Sequence, residues 1–416
     1  MVRHVIIGNS AAGLSALRTL HRMAPASSVT VISAEEGPAY SRVALTYYIS
    51  GEIKREDLLL VEPDFYARMG VETALGSPVV EVSPTAKRVR LENGREIAYD
   101  NLLVATGASA VFPDIPGIDG PGVFGLRSLS DADAILRGAH QATQAVVMGG
   151  GLIGLQTACA LHELGLRVTV VVSSPHVLSQ TLIPSVARQL EERLQGAGIE
   201  VQTRSNAVAL QHRDGDGRME GVTLDDSHTL PCQMVIIGKG VRPNADFLAG
   251  TDVKVERGIV VDAHLQTSVP GIYAAGDVAQ AYDPIQERNV VNAIWPNAVD
   301  QGRVAALNMA GRRTLYGGVT AMNIYKFMGW PIITLGLRRA PPEDERFVQW
   351  ERSWPERSAY RRLVLKNGRL VGAVLAGEVD EAAALCGLLR RGTKLPDHDE
   401  EALARRLTAA DLCYTC

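Results

Sequence analysis

The chain has 416 residues, with a hydrophobic fraction of 46%, a charged fraction of 21% and a formal net charge of -4. That length allows two or three domains with a sizeable core. The near-neutral balance gives no basic face for nucleic acid or a membrane surface, and no run reaches the roughly 18 apolar residues of a membrane helix. The opening MVRHVIIGNS enters a buried-strand pattern at once, where a cleaved signal peptide would remove the first glycine turn, so the expected location is cytoplasmic. Five cysteines, Cys159, Cys232, Cys386, Cys413 and Cys416, are too few and too scattered for a disulfide scaffold or a cluster of their own.

In chain order, the first unit is HVIIGNSAAGLSALRTL, an apolar strand, a turn and a helix pattern. Gly8 and Gly13 stand where a dinucleotide-binding turn has its first and third glycines; Ser10 replaces the middle one. The first glycine permits the sharp turn, the third lets helix and strand approach, and the helix N-terminus faces a pyrophosphate. The strand SVTVISAEE follows, and Glu35, with Glu36 second, is the candidate for the ribose hydroxyls.

About 140 residues on, QAVVMGGGLIGLQTACALHELGLRVTVVV repeats the unit with Gly149, Gly151 and Gly154 all present. YDNLLVATGA, CQMVIIGKGVRPN and IVVDAHLQTSVPGIYAAGDVAQ are further strands ending at glycines. Asp277 closes the last and suits a ribityl hydroxyl. In NVVNAIWPNAVDQGRVAALNMAGRR, Pro296 fits the first turn of a helix. The positive end of that helix would favour an anion placed against it. The alternative is a surface helix with a chance proline cap.

With these motifs in this order, residues 1 to about 315 resemble the two-dinucleotide-binding-domain flavoproteins, the pyridine nucleotide–disulfide oxidoreductases and the ferredoxin or rubredoxin reductases. The resemblance implies an α/β fold: two Rossmann-like domains binding FAD and NAD, the NAD domain inserted in the FAD domain, and a small α+β C-terminal domain. The expected boundaries are 1–112 and 239–315 for FAD, 113–238 for NAD and 316–416 for association. By resemblance, Gly8, Ser10, Ala11, Ala12, Gly13, Glu35 and Arg42 line the FAD site, with Val79, Thr106, Gly107, Gly276, Asp277, Trp295 and Pro296. Gly149, Gly151, Leu152, Ile153, Gly154, Ser173 and Gly240 line the NAD site.

After the second unit's last strand, Val172 and Ser173 stand where relatives carry an acid for NAD, and no arginine or lysine lies in 172–176. A 2′-phosphate needs cations more than a ribose needs a carboxylate, so NAD is preferred over NADP. Gln156 stands where many relatives have a glutamate beside the nicotinamide.

SRVALTYYISG has Val43 where disulfide reductases of the family carry the redox cysteine, and no cysteine precedes Cys159. Thiol–disulfide and sulfenic-acid chemistry from this helix are excluded. The expected catalytic machinery is the flavin alone, exchanging hydride with nicotinamide and single electrons with an iron–sulfur protein or oxygen. Arg42 matches the Tyr-x-Arg of ferredoxin and nitrite reductase relatives, where it sits over the flavin; Tyr47 replaces their lysine, and Tyr47 and Tyr48 either shield the flavin edge or serve the core.

From 316 the pattern changes. NIYKFMGWPIITLG reads as a strand with a Gly-Trp-Pro break, YRRLVLKNGRLVGAVLAG as a hairpin turning at Asn367-Gly368, and EAAALCGLLRRG as a helix. RRAPPEDERFVQWERSWPERSA, with Trp350 and Trp354, reads as a solvated loop or a docking surface. Cys413 and Cys416 form a terminal CxxC, either inert or a dithiol or half a metal site.

The expected function is a FAD-dependent, diaphorase-type NAD(H) oxidoreductase. The chain resembles the FAD subunits of multi-subunit enzymes of the phenylglyoxylate dehydrogenase and tungsten aldehyde oxidoreductase kind. The implied partners are an iron–sulfur, ferredoxin-like subunit and a larger catalytic subunit, with no nucleic acid and no membrane. Alternatives are a stand-alone rubredoxin or ferredoxin reductase, an NADH oxidase, and a redox-sensing scaffold that binds NADH and FAD.

Overall fold

The computed structural model describes residues 1–318, 321–392 and 394. The elements that position the sites are, in chain order, β1 (Arg3–Ile7), α1 (Ala11–Met23), β2 (Ser28–Ile32), β3 (Glu72–Ala74), β4 (Asn101–Val104), β5 (Val123–Gly125) and α2 (Leu129–Ala139). They continue with β6 (Gln144–Met148), α3 (Leu152–Glu163), β7 (Arg167–Val172), α4 (Pro184–Gly196), β8 (Ile199–Thr203), β9 (Met234–Ile237), β10 (Ile272–Ala274) and α5 (Trp295–Met309). The last are β11 (Met322–Phe327), β12 (Trp330–Gly336), β13 (Phe347–Trp354), β14 (Ala359–Lys366), β15 (Arg369–Ala376) and α6 (Ala382–Arg391).

Two compact units emerge from the contacts. Among the described residues, one contains 1–48, 53–109 and 241–318; the other contains 49–52, 110–240 and those from 321 onward.

The first unit is built on a five-stranded sheet in the order β10-β4-β1-β2-β3, parallel at every pairing. Its strands are apolar runs because a parallel sheet is covered on both faces: Val5, Ile6 and Ile7 of β1, and Leu102 to Val104 of β4, are buried. α1 and α5 cross at very close range. A Cβ added at Gly302 would lie 2.1 Å from the Ala12 carbonyl oxygen, and Ser15 Oγ donates to Val299 O at 2.7 Å.

The second unit repeats the arrangement, with sheet order β8-β7-β6-β9-β5, again parallel throughout. Its α2 starts with a reciprocal capping box between Ser128 and Asp131, an ordinary structural start. The C-terminal residues add an antiparallel sheet in the order β11-β12-β15-β14-β13, with α6 following β15.

Two stretches differ from the sequence expectation. The 323–336 segment is two strands: β11 and β12 pair antiparallel through a turn at Met328 and Gly329, both at positive φ. The charged 338–359 stretch contains an edge strand, β13, paired along its length with β14. An edge strand exposed on one side tolerates charges, which hides its period of two. The Asn367-Gly368 turn is as expected, with both residues at positive φ, 50° and 73°, the type I′ signature.

No helix among the described residues is long and apolar enough to cross a membrane. Cys413 and Cys416 lie outside the described residues.

Candidate functional site

In the first unit the chain leaves β1 through Gly8, whose N–H donates to Ile32 O at 2.8 Å. Gly8 sits at φ 123°, and a Cβ there would lie 2.0 Å from Ala105 O. Gly13 is as constrained: its Cβ would come within 1.9 Å of Gly8 O. Only glycine fits either place. Ser10 is the N-cap of α1, but its side chain makes no capping bond and the first turn holds no acid. The N–H groups of that turn, over Ala11 and Ala12, are left for an anion. A diphosphate fits this cradle.

Asn9 brackets the same turn. Tyr66 Oη donates to Asn9 Oδ1 at 2.6 Å and accepts the Ala39 N–H at 3.1 Å, while Asn9 Nδ2 donates to Gly37 O at 3.3 Å. The loop after β2 is thereby fastened to the glycine turn. On that loop Tyr40 Oη donates to Glu35 at 2.5 Å, and Arg42 pairs with the same carboxylate and stacks over the Tyr40 ring. Burial works against the Arg42 charge, but Tyr40, Glu35 and Asp277 outweigh it and hold the guanidinium above its ordinary value. Glu35, Arg42 and Asp277 thus share one electrostatic neighbourhood. Glu36 is exposed.

Val43 lies in the short 3₁₀ turn Arg42–Ala44 and is 61% exposed. Tyr47 is exposed too, and Tyr48 is half-buried. Thr106 and Gly107, after β4, are clamped by Asn244. Thr106 Oγ1 donates to Asn244 O at 2.6 Å, Asn244 Nδ2 to Thr106 O at 3.1 Å, and Asn244 N–H to Gly107 O at 2.9 Å. Gly276, at φ 81°, places Asp277 beyond β10, and its N–H donates to Gln301 Oε1 of α5 at 2.8 Å. Trp295 and Pro296 form the start of α5, which has no side-chain cap and no acid in its first turn. Val79 is half-buried against the same core.

The second unit reproduces the cradle. Gly149 N–H donates to Val171 O at 2.9 Å, its φ is 132°, and a Cβ would lie 2.3 Å from Gly238 O. Gly154's Cβ would lie 2.2 Å from Gly149 O. Gly151 caps α3 without a side chain, Leu152 is half-buried and Ile153 is exposed. α4 also begins without a side-chain cap, so a bare helix end marks a nucleotide only together with the glycine turn. Ser173 is exposed after β7, Gln156 is half-buried on α3, and Gly240, at φ 104°, follows β9. Lys239, beside it, is half-buried, and burial pulls its ammonium below the ordinary value.

Asn9, Tyr66, Asn244, Gln301 and Lys239 were not among the residues picked out by motif. Only Lys239, inside the Gly-Lys-Gly that ends the CQMVIIGKG strand, carried a local signal; the others act by tertiary hydrogen bonds or placement. Among the described residues no group of three His, Cys, Asp or Glu side chains could hold a metal ion. Cys159 and Cys232 are buried, which pushes both thiols up to about 12.

Two parallel sheets of one order, one in each unit and each with a glycine cradle at its central strand, define a two-dinucleotide oxidoreductase. Residues 2–302 match the pyridine nucleotide-disulphide oxidoreductase family, to which the chain belongs, and residues 322–393 match the rubredoxin NAD+ reductase C-terminal domain. It is an enzyme of that family, with FAD and NAD(H) as its cofactors. The chain is 31% identical over 396 residues to the NADH-dependent phenylglyoxylate dehydrogenase subunit epsilon of Aromatoleum evansii, covering 94% of this chain and 92% of that one. It is 30% identical over 311 residues to the rubredoxin-NAD(+) reductase of Ectopseudomonas oleovorans, covering 74% and 80%. Other relatives are longer: the chain covers 49% of the nitrite reductase of Bacillus subtilis. Putidaredoxin reductase, in the covalent complex with putidaredoxin, shares the fold, with a TM-score of 0.89 at 23% identity and coverage of 99% and 97%.

Proposed function

We propose that the chain is the electron-transfer subunit of a larger NAD-linked oxidoreductase, passing electrons between an iron–sulfur partner and NAD(H) through FAD. Bound FAD supplies exchange of a hydride with nicotinamide and of single electrons with a one-electron carrier. In this reading the Gly8–Gly13 cradle holds the FAD diphosphate, Glu35 and Arg42 hold its adenosine half, and Asp277 and the start of α5 hold the ribityl and pyrimidine end. The Gly149–Gly154 cradle, with Ser173 and Gly240, holds NAD(H).

The observation that carries the reading is Val43. Where a thiol relay would stand, an apolar side chain is 61% exposed, and the first cysteine in the chain is Cys159, buried on α3. Electrons therefore leave or arrive without a sulfur at that position. The likeness to a phenylglyoxylate dehydrogenase subunit along nearly the whole of both chains supports a multi-subunit aldehyde or 2-oxo acid oxidoreductase, with NAD+ as the final acceptor. A second reading, a stand-alone NADH:rubredoxin or ferredoxin reductase, is favoured by the matched C-terminal domain.

Purification of the native protein without a tag on this chain separates the two. Co-elution in constant ratio with an iron–sulfur chain and a larger chain is expected. A lone flavoprotein that turns over soluble rubredoxin with NADH would replace the first reading with the second.

A further inference from the structure

The loop after β7, residues 173–183, lies where a dinucleotide unit selects its nucleotide, and it is fastened on both sides. Leu178, at φ 48°, donates its N–H to Gly150 O at 2.9 Å, which ties the loop to the glycine turn. Thr181 N–H donates to Leu178 O at 2.7 Å, and Val177 N–H donates to Glu191 Oε1 of α4 at 2.9 Å. On its far side Thr181, itself buried, meets two arginines of the C-terminal sheet. Arg338 Nη1 donates to the Thr181 hydroxyl at 3.3 Å, and Arg362 Nη1 donates to the Thr181 carbonyl at 3.4 Å.

Arg362 is costly where it stands. It is fully buried in the middle of β14, in a sheet whose neighbouring positions are Leu363 and Val364. Its Nε donates to Glu351, which is 38% exposed, its Nη1 also reaches Arg338 O at 3.0 Å, and its Nη2 has no hydrogen-bond partner among the described residues, although the guanidinium lies 5.7 Å from the Tyr360 ring centroid. A buried guanidinium with an unanswered donor is usually outperformed by a hydrophobic residue of similar volume. Packing alone therefore does not account for it.

The loop also lacks the acid that commonly grips the adenosine ribose, since Val172 and Ser173 stand there. Without that carboxylate, affinity depends more on how well the loop is ordered before the nucleotide arrives. We propose that Arg362 is a positioning residue for the dinucleotide: through Thr181 it holds loop 173–183 against the Gly149–Gly154 turn. The C-terminal sheet is then part of the nucleotide site. This inference rests on the assignment of that turn to NAD(H).

The test uses the FAD-loaded full chain with NADH and ferricyanide, and ADP-ribose as a competitive inhibitor that reports the adenosine half alone. In Arg362→Met, the NADH KM and the ADP-ribose inhibition constant should rise together, on the order of 10-fold as for loss of a charged hydrogen bond, while kcat and FAD content stay at wild-type level. Arg338→Ala, at a half-buried position, should raise both constants by a smaller factor. If Arg362→Met does not fold, Arg338→Ala decides alone. A soluble, FAD-loaded variant with a lower melting temperature but an unchanged ADP-ribose constant would show a merely structural role and overturn the inference. Wild-type protein that ignores both NADH and ADP-ribose would instead overturn the nucleotide assignment beneath it.

Discussion

Replacing Gly154 by alanine tests the second cradle at its tightest point. The added Cβ would lie 2.2 Å from Gly149 O and 3.5 Å from Val147 Cγ1. A carbon–oxygen contact relaxes at roughly 3.3 Å, so the start of α3 must withdraw from the turn by about 1 Å. The obstacle is backbone and no side chain can swing away. A displacement of that size at a substrate-positioning element costs about 100-fold in rate, equivalent to roughly 2.7 kcal/mol; the overpacking itself destabilises the fold by about 1–3 kcal/mol. Stopped-flow bleaching of the flavin by NADH reads the effect directly. Gly154→Ala should keep its FAD, because the Gly8–Gly13 cradle lies in the other unit, and lose about two orders of magnitude in the second-order rate constant for NADH. A fully FAD-loaded variant reduced at the wild-type rate would refute the geometry.

Arg42→Gln should weaken FAD binding roughly 10-fold, the loss of one charged hydrogen bond, and leave Glu35 without its cation; FAD release on dilution, followed by fluorescence, measures it. NADH should reduce the flavin with a higher specificity constant than NADPH, because no arginine or lysine occupies 172–176; equal constants in the same stopped-flow experiment would refute that reading of the pocket. Iodoacetamide at pH 8 should label the half-buried Cys386 ahead of Cys159 and Cys232. Burial pushes the latter two up to about 12, so their reactive thiolates are scarce below that pH. NADH–ferricyanide turnover should survive the labelling in a Cys413→Ser, Cys416→Ser background; its loss would assign the chemistry to a cysteine.

The two cradles were legible because steric exclusion leaves a mark on sequence. Gly8, Gly13, Gly149 and Gly154 each face a backbone oxygen within 2.3 Å of any added Cβ, and a turn that admits one residue type is recognisable by that residue. The hairpin at Asn367-Gly368 was legible because both residues sit at positive φ, a region that Asn and Gly enter most readily. The strand β13 was not, because Val348, Gln349, Glu351 and Arg352 are exposed and its apolar alternation is broken by charge. Nor were the brackets from Tyr66 to Asn9 and from Asn244 to Thr106. They join residues far apart in the chain by a few hydrogen bonds, and such bonds impose no local period. The role proposed for Arg362 was hidden by its setting, since YRRLVLK reads as an ordinary strand with a charged face, and only its depth in the sheet sets it apart.

The contact between Gly302 and the Ala12 carbonyl acts as a gauge block between α1 and α5. With no side chain in the gap, there is nothing there to compress, rotate or exchange for a residue of slightly different size. A flavin gripped at its diphosphate by one helix and at its pyrimidine end by the other would meet a fixed span, the same in every redox state. On the proposed reading, adjustment of its potential would be left to the rim: to the residue at position 43, to Tyr47 and Tyr48, and to whichever partner covers them. Lineages that share this spacing could exchange electron carriers by altering those few rim positions, while the frame that sets the distance stays untouched.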